Sequence, residues 1–140
     1  MATTQRLSNW AASTAANRVC ETLDSGWLDL YTGLQPLSPD VPVTNQMRLV
    51  RLRFSRPAFV GAVAGGARAN PISPGVAIAT GGARWFRATA ESGAPVFDGS
   101  VGDAGANLKL SNAIIVEGAT VVVNSLTYTQ QRSTNEVSYT

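Results

Sequence analysis

The strongest constraint on this chain is the spacing of its turn residues. From residue 58 onward, seven short runs are each bounded by turn-forming residues: Ala58 to Val63, Gly75 to Thr80, Arg84 to Thr89, Pro95 to Val101, Leu108 to Leu110, Asn112 to Val116 and Thr120 to Tyr128. Runs this short and this closely spaced read as strands that fold back on one another. Two earlier segments join them. From Trp27 the period is two, with Leu28 and Leu30 facing one way and Trp27, Asp29 and Tyr31 the other. In residues 46–54 the apolar phase sits on 47 and 49 and then moves to 50, 52 and 54, so one extra residue near Leu49 and Val50, a β-bulge, would return every apolar side chain to one face. A sheet with one apolar face needs a second layer over it, and the expected plan is a mainly β, antiparallel two-sheet sandwich over residues 26–129.

Gly-Gly-Ala-Arg occurs twice, at Gly65 to Arg68 and at Gly81 to Arg84. A phosphate loop would need backbone N–H groups at a helix start and a following Lys with Ser or Thr. The first copy runs into Pro71 and Pro74 and the second into Trp85-Phe86, so both read as corners between strands, where glycine supplies the positive φ of tight turns. Glu91-Ser92-Gly93-Ala94 is the clearest hairpin turn. Leu34 to Pro42, with three prolines, reads as an irregular connection within one domain spanning 1–140.

Residues 7–25 read as one helix, capped at Ser8 or a neighbour, running to about Asp24 and stopped by Gly26. At 100° per residue Ala12, Ala16, Val19, Cys20 and Leu23 form its apolar stripe. Trp10 lies off the stripe and either precedes the regular helix or projects towards another surface. Residues 130–140 are polar and without a period, which suits a segment without fixed structure or an arm laid on a neighbour.

Composition removes most chemistry. Histidine is absent, which takes away the commonest general base and metal ligand. The single cysteine, Cys20, allows neither an intrachain disulfide nor a cysteine-built metal site. The nine carboxylates are dispersed without an EF-hand or paired-acid spacing. No catalytic, cofactor or metal residues are therefore expected, and the chain is not expected to be an enzyme. The amino terminus lacks the apolar core of a signal peptide and no run approaches a membrane span, so synthesis in a cytoplasm and no membrane partner are expected. Charged residues make up 14% of the chain, which suits a surface that meets protein.

Arg48, Arg51 and Arg53 would share the outer face of their strand, with Arg56 just beyond. They read either as a solvated face or as a contact with an acidic protein surface. Nucleic acid is not expected as a partner, because interleaved aromatics are missing and the net charge is only +2. Trp10 and these four arginines are the candidate protein-contact residues.

Three stretches, Trp27 to Pro36 (WLDLYTGLQP), Ala83 to Ala88 (ARWFRA) and Val96 to Gly102 (VFDGSVG), with the closing Glu117 to Val121, resemble the capsid decoration or cement proteins of tailed, particularly short-tailed, bacteriophages. The resemblance spans about Leu7 to Thr129. It implies a jelly-roll-like β-sandwich on the exterior of a virion, bound to the major capsid protein and to other copies of itself as a dimer. It also implies framework roles: Trp85 and Phe97 in the core, and Asp98-Gly99 in a tight turn. The alternative is a carbohydrate-binding or host-adhesion module, for which Trp27, Asp29 and Tyr31 on one strand face are the best local candidate; the competing reading of that face is packing beneath the helix.

Overall fold

The computed structural model describes residues 6–102 and 105–130. The helix α1 spans Asn9–Glu21, and the Ser8 hydroxyl accepts the Ala11 N–H at 3.0 Å, satisfying one orphan donor of the first turn. Ala12, Ala16, Cys20 and Leu23 are buried and Val19 half-buried, so the stripe expected from the sequence is the packed side. The helix ends three residues before Asp24, at Glu21, with Thr22 as its cap. Gly26 does not act as a left-handed stop. Ser25 takes the positive φ of 57°, and Gly26 is needed because a Cβ there would lie 2.2 Å from the Thr89 carbonyl oxygen. The glycine lets the strand that starts at Trp27 enter the sheet hard against the one that ends at Thr89.

Eleven strands follow among the described residues: β1 (Trp27–Tyr31), β2 (Arg48–Arg53), β3 (Gly66–Arg68), β4 (Gly75–Val76), β5 (Gly81–Gly82), β6 (Trp85–Thr89), β7 (Pro95–Gly102), β8 (Leu108–Leu110), β9 (Ile114–Ile115), β10 (Thr120–Val121) and β11 (Val123–Thr129). Seven form one sheet in the order β2-β1-β6-β7-β8-β11-β3. The other four make two-stranded ribbons, β10 with β4 and β5 with β9, whose buried residues join the apolar side of the sheet in one core. Leu28, Leu30, Leu52 and Phe86 from the sheet share one core with Ile115 and Val121 from the ribbons and with Ala77 just after β4. The fold is thus mainly β with one N-terminal helix, as expected. Its layers are unequal and the large sheet is mixed rather than purely antiparallel, because β7 and β8 run parallel. The strand order by itself does not spell out a jelly roll.

The bulge falls where the apolar phase shifts. Leu30 pairs with Val50 and Tyr31 with Arg48, so Leu49 is the extra residue, and Leu49 and Val50 are both fully buried. The hairpin between β6 and β7 turns at Glu91 to Ala94, with Gly93 at φ 95°. Of the two glycine pairs only the first is a corner, with Ala64 and Gly65 at positive φ. Gly81-Gly82 is instead a strand paired with Ile114-Ile115, and a Cβ on Gly81 would stand 2.9 Å from the Thr32 methyl. Asp98-Gly99 is likewise no turn but the middle of β7.

The run from Ala58 to Val63 makes only isolated bridges, Phe59 to Ala69 and Val63 to Gly66. It covers the edge of β3, with the Val60 N–H donating to the Arg68 carbonyl at 2.9 Å. The β2 edge is met in the same way by Ser73 and Ile78, which donate to Arg53 and Leu49. Partial cover of both edges removes the usual templates for edge-to-edge aggregation.

Candidate protein-contact surfaces

The outer face of the large sheet is a lattice of charge and aromatic rings. Strand register sets Trp27 opposite Arg53 and Thr89, Asp29 opposite Arg51 and Arg87, and Tyr31 opposite Arg48 and Trp85. Arg87 in turn faces Asp98 on β7. Two bidentate pairs result: Arg51 Nε and Nη2 donate to Asp29 at 2.8 and 3.0 Å, and Arg87 Nε and Nη2 donate to Asp98 at 2.8 and 3.0 Å. The planar fork of arginine matches a carboxylate in this geometry.

The proline-containing connection after β1 lies over part of this face. Trp85 Nε1 donates to the Thr32 carbonyl at 3.2 Å, and Arg87 Nη2 donates to the Ser38 carbonyl at 3.3 Å. Beneath it Tyr31 stacks on Trp85 with centroids 4.5 Å apart. Burial, and then the charge of Asp29, push the Tyr31 hydroxyl above its ordinary pKa, against a smaller opposing pull from Arg48, Arg87 and Arg51. The hydrogen bond to Asp98 holds Arg87 protonated despite its burial.

Arg51 is tied to Asp29. Arg53 donates from Nε to the Ser25 carbonyl and from Nη2 to Glu91, both at 2.9 Å. Arg48 approaches Asp29 only to 3.9 Å, beyond hydrogen-bond reach, since that carboxylate already serves Arg51. The three do share one outer face, and Arg56 is exposed just beyond them. Trp10 belongs to the first turn of α1 and is 77% exposed, so it projects away from the domain. Residues 131–140 lie outside the described residues.

The sugar-platform candidate is not open. Asp29 and Tyr31 are buried, and only Trp27 remains partly accessible. What covers that face is the connection through Thr32 and Ser38, not α1, which packs at the opposite edge against β3 and β11. There the Asn17 and Ser13 side chains accept the N–H groups of Ala62 and Gly65.

A second surface carries no signal in the sequence. On the two ribbons and the residues that flank them, Ala77, Ile115 and Val121 are buried in the core, while Val76, Ile78, Ile114, Val116 and Val122 remain exposed. The chain between Leu110 and Val122 opens here into a cleft of about 420 Å³ because β9 leaves to pair with β5 and β10 with β4. Leu110, Ile115 and Val121 line it with residues such as Ser111 and Thr120, and no charged residue does. Exposed apolar side chains gathered around one cleft, rather than scattered singly, are the kind of feature that marks an interaction site.

Among the described residues no group of three or more Asp, Glu or Cys could hold a metal, and no helix is long and apolar enough to cross a membrane. Cys20 is buried against the core; burial first, and the Asp24 charge second, push its thiol up to about 11 from 9.0. A folded pKa above the unfolded one means stability that is complete below pH 9 and drains away as pH rises towards 11. Cys20→Ala is therefore expected to flatten the alkaline limb of a urea-midpoint profile between about pH 9 and 11, leaving the residual slope of the raised tyrosines Tyr31 and Tyr128. Equal slopes in both chains would refute this. No protein-family model, curated protein or solved structure matches the chain.

Proposed function

We propose that this chain is a viral structural protein that binds the outer surface of an assembled bacteriophage capsid and stabilises it by bridging major capsid subunits. The observation that supports this most is the contrast between its faces: an apolar ribbon surface around an uncharged cleft, opposite a sheet face of paired charges. An apolar face of this kind gains by burial at about 25 cal/mol per Å², whereas the buried carboxylates of the sheet face, Asp29 and Asp98, are already paired within the chain. A protein that binds the assembled shell and not the loose subunits stabilises assembly by mass action, without chemistry of its own. Several weak contacts per copy suffice, since the later ones form at high effective concentration. In this reading Trp10 on α1 serves pairing between copies.

The test has two arms. Replacing Ile114, Val116 and Val122 together by Ser should lower occupancy on purified shells at least tenfold while circular dichroism stays unchanged, because exposed substitutions rarely cost more than about 0.5 kcal/mol each. Full particles stripped of the protein should release their genome at lower temperature than decorated ones. Unchanged occupancy, or identical release curves, would sink the reading.

A further inference from the structure

Arg51 and Arg53 both hold their guanidiniums against one indole, that of Trp27. Their guanidinium carbons lie 5.1 and 4.2 Å from the Trp27 ring centroid, and each uses Nε and Nη2 within the chain, leaving Nη1 without a hydrogen bond among the described residues. Both side chains are about two-fifths exposed. Their counter-ions differ. Asp29 is buried beneath Arg51 and fixed by two hydrogen bonds, whereas Glu91 sits on the β6–β7 hairpin with its side chain 64% exposed and meets Arg53 through one oxygen. Arg48 and Arg56 extend the positive row without a hydrogen bond from either guanidinium among the described residues.

We propose that Arg51 and Arg53, held upright against Trp27, form a docking site for carboxylates of an acidic partner protein, and that Glu91 is a displaceable stand-in for one of them. The site is pre-organised: Trp27, Asp29 and the Ser25 carbonyl fix the guanidiniums, so a partner does not have to order them. Arg51 and Arg53 are two residues apart on one strand, about 7 Å, which matches carboxylates at alternate positions of an extended segment. The accessible charge selects acid, since the exposed members of the cluster are three arginines against one glutamate. The Glu91 contact also sets the affinity: a partner carboxylate must displace it, and an exposed ion pair of this kind costs little to break. The inference rests on the proposed function only in taking the partner to be a protein.

The experiment titrates the full chain with a capped peptide carrying Glu at alternate positions and with its Gln counterpart, by calorimetry, following the Trp27 indole N–H resonance, assigned through Trp27→Phe. Glu91→Gln should tighten the Glu peptide about two- to fivefold, the value of one exposed ion pair, and Arg53→Gln should remove most of the binding. The Gln peptide should bind neither chain. Equal affinity in the unmodified and Glu91→Gln proteins, or equal binding of the Gln peptide, overturns the proposal. So does a short single-stranded oligonucleotide that shifts the Trp27 resonance where the acidic peptide does not. Glu91 is exposed, so its variant is a fair test of the site rather than of folding. No shell is present in the titration, and its failure leaves the ribbon-face occupancy result standing.

Discussion

Asp98→Asn is expected to lower the unfolding free energy by about 3–5 kcal/mol, the largest effect of any single charge removal in this protein. The Asp98 side chain is 3% exposed and that of Arg87 9%, so the pair sits in a low dielectric where neither ion can fall back on water. The substitution keeps the shape of the side chain and one acceptor, and what it removes is the charge opposite a buried guanidinium held by two hydrogen bonds. The damage should spread, because Arg87 Nη2 also holds the Ser38 carbonyl and through it the connection that covers Tyr31 and Trp85. Chemical denaturation of the single variants and of Arg87→Met with Asp98→Leu would separate the contributions. Replacing both ions by apolar groups should recover most of the loss, since the cost comes from an unpaired charge more than from a missing attraction. A loss below about 1 kcal/mol for Asp98→Asn would mean that water reaches the pair.

The paired charges also explain what sequence could and could not reveal. A period of two placed Trp27, Asp29 and Tyr31 on one face, and the phase shift at Leu49 and Val50 located the bulge, because both depend only on neighbours in the chain. Which carboxylate serves which arginine depends on sheet order. Asp29 lies 22 residues from Arg51, while Arg87 and Asp98 are joined only by the hairpin pairing of β6 with β7. The arginine row was legible as a row; its internal commitments were not.

Glycine misled for a related reason. At Gly65 it supplies a positive φ, and at Gly81 and Gly26 it supplies the absence of a side chain where another strand passes close. One residue type answers to two causes, and only the neighbouring strand tells them apart. The apolar ribbon face stayed hidden because strands of two residues carry no measurable period. Its outward residues, Ile114 and Val116 among them, read simply as parts of a strand, and nothing in their spacing showed that the layer was too thin to bury both sides.

Gly99→Ala puts the close-approach argument to its sharpest test. Gly99 lies opposite Phe86 on the core face of β7, and a Cβ there would stand 2.5 Å from two ring carbons of Phe86 and 3.1 Å from Asn107 Oδ1. Phe86 is fully buried and meets Phe97 edge to face at 5.4 Å, so its ring has no free direction in which to withdraw. Asn107 is equally constrained, since its Oδ1 accepts from both the backbone N–H and the hydroxyl of Ser100 on β7. One added methyl should therefore cost about 3 kcal/mol, the upper part of the usual range for overpacking. Phe86→Leu alone should also destabilise, by leaving part of the ring volume empty. Together the two should cost less than their sum, because leucine vacates the space that the alanine methyl needs. The cycle is read from urea midpoints of four chains at constant slope. Strict additivity would show that the strand shifts instead of the ring, and would locate the strain at the Asn107 contact.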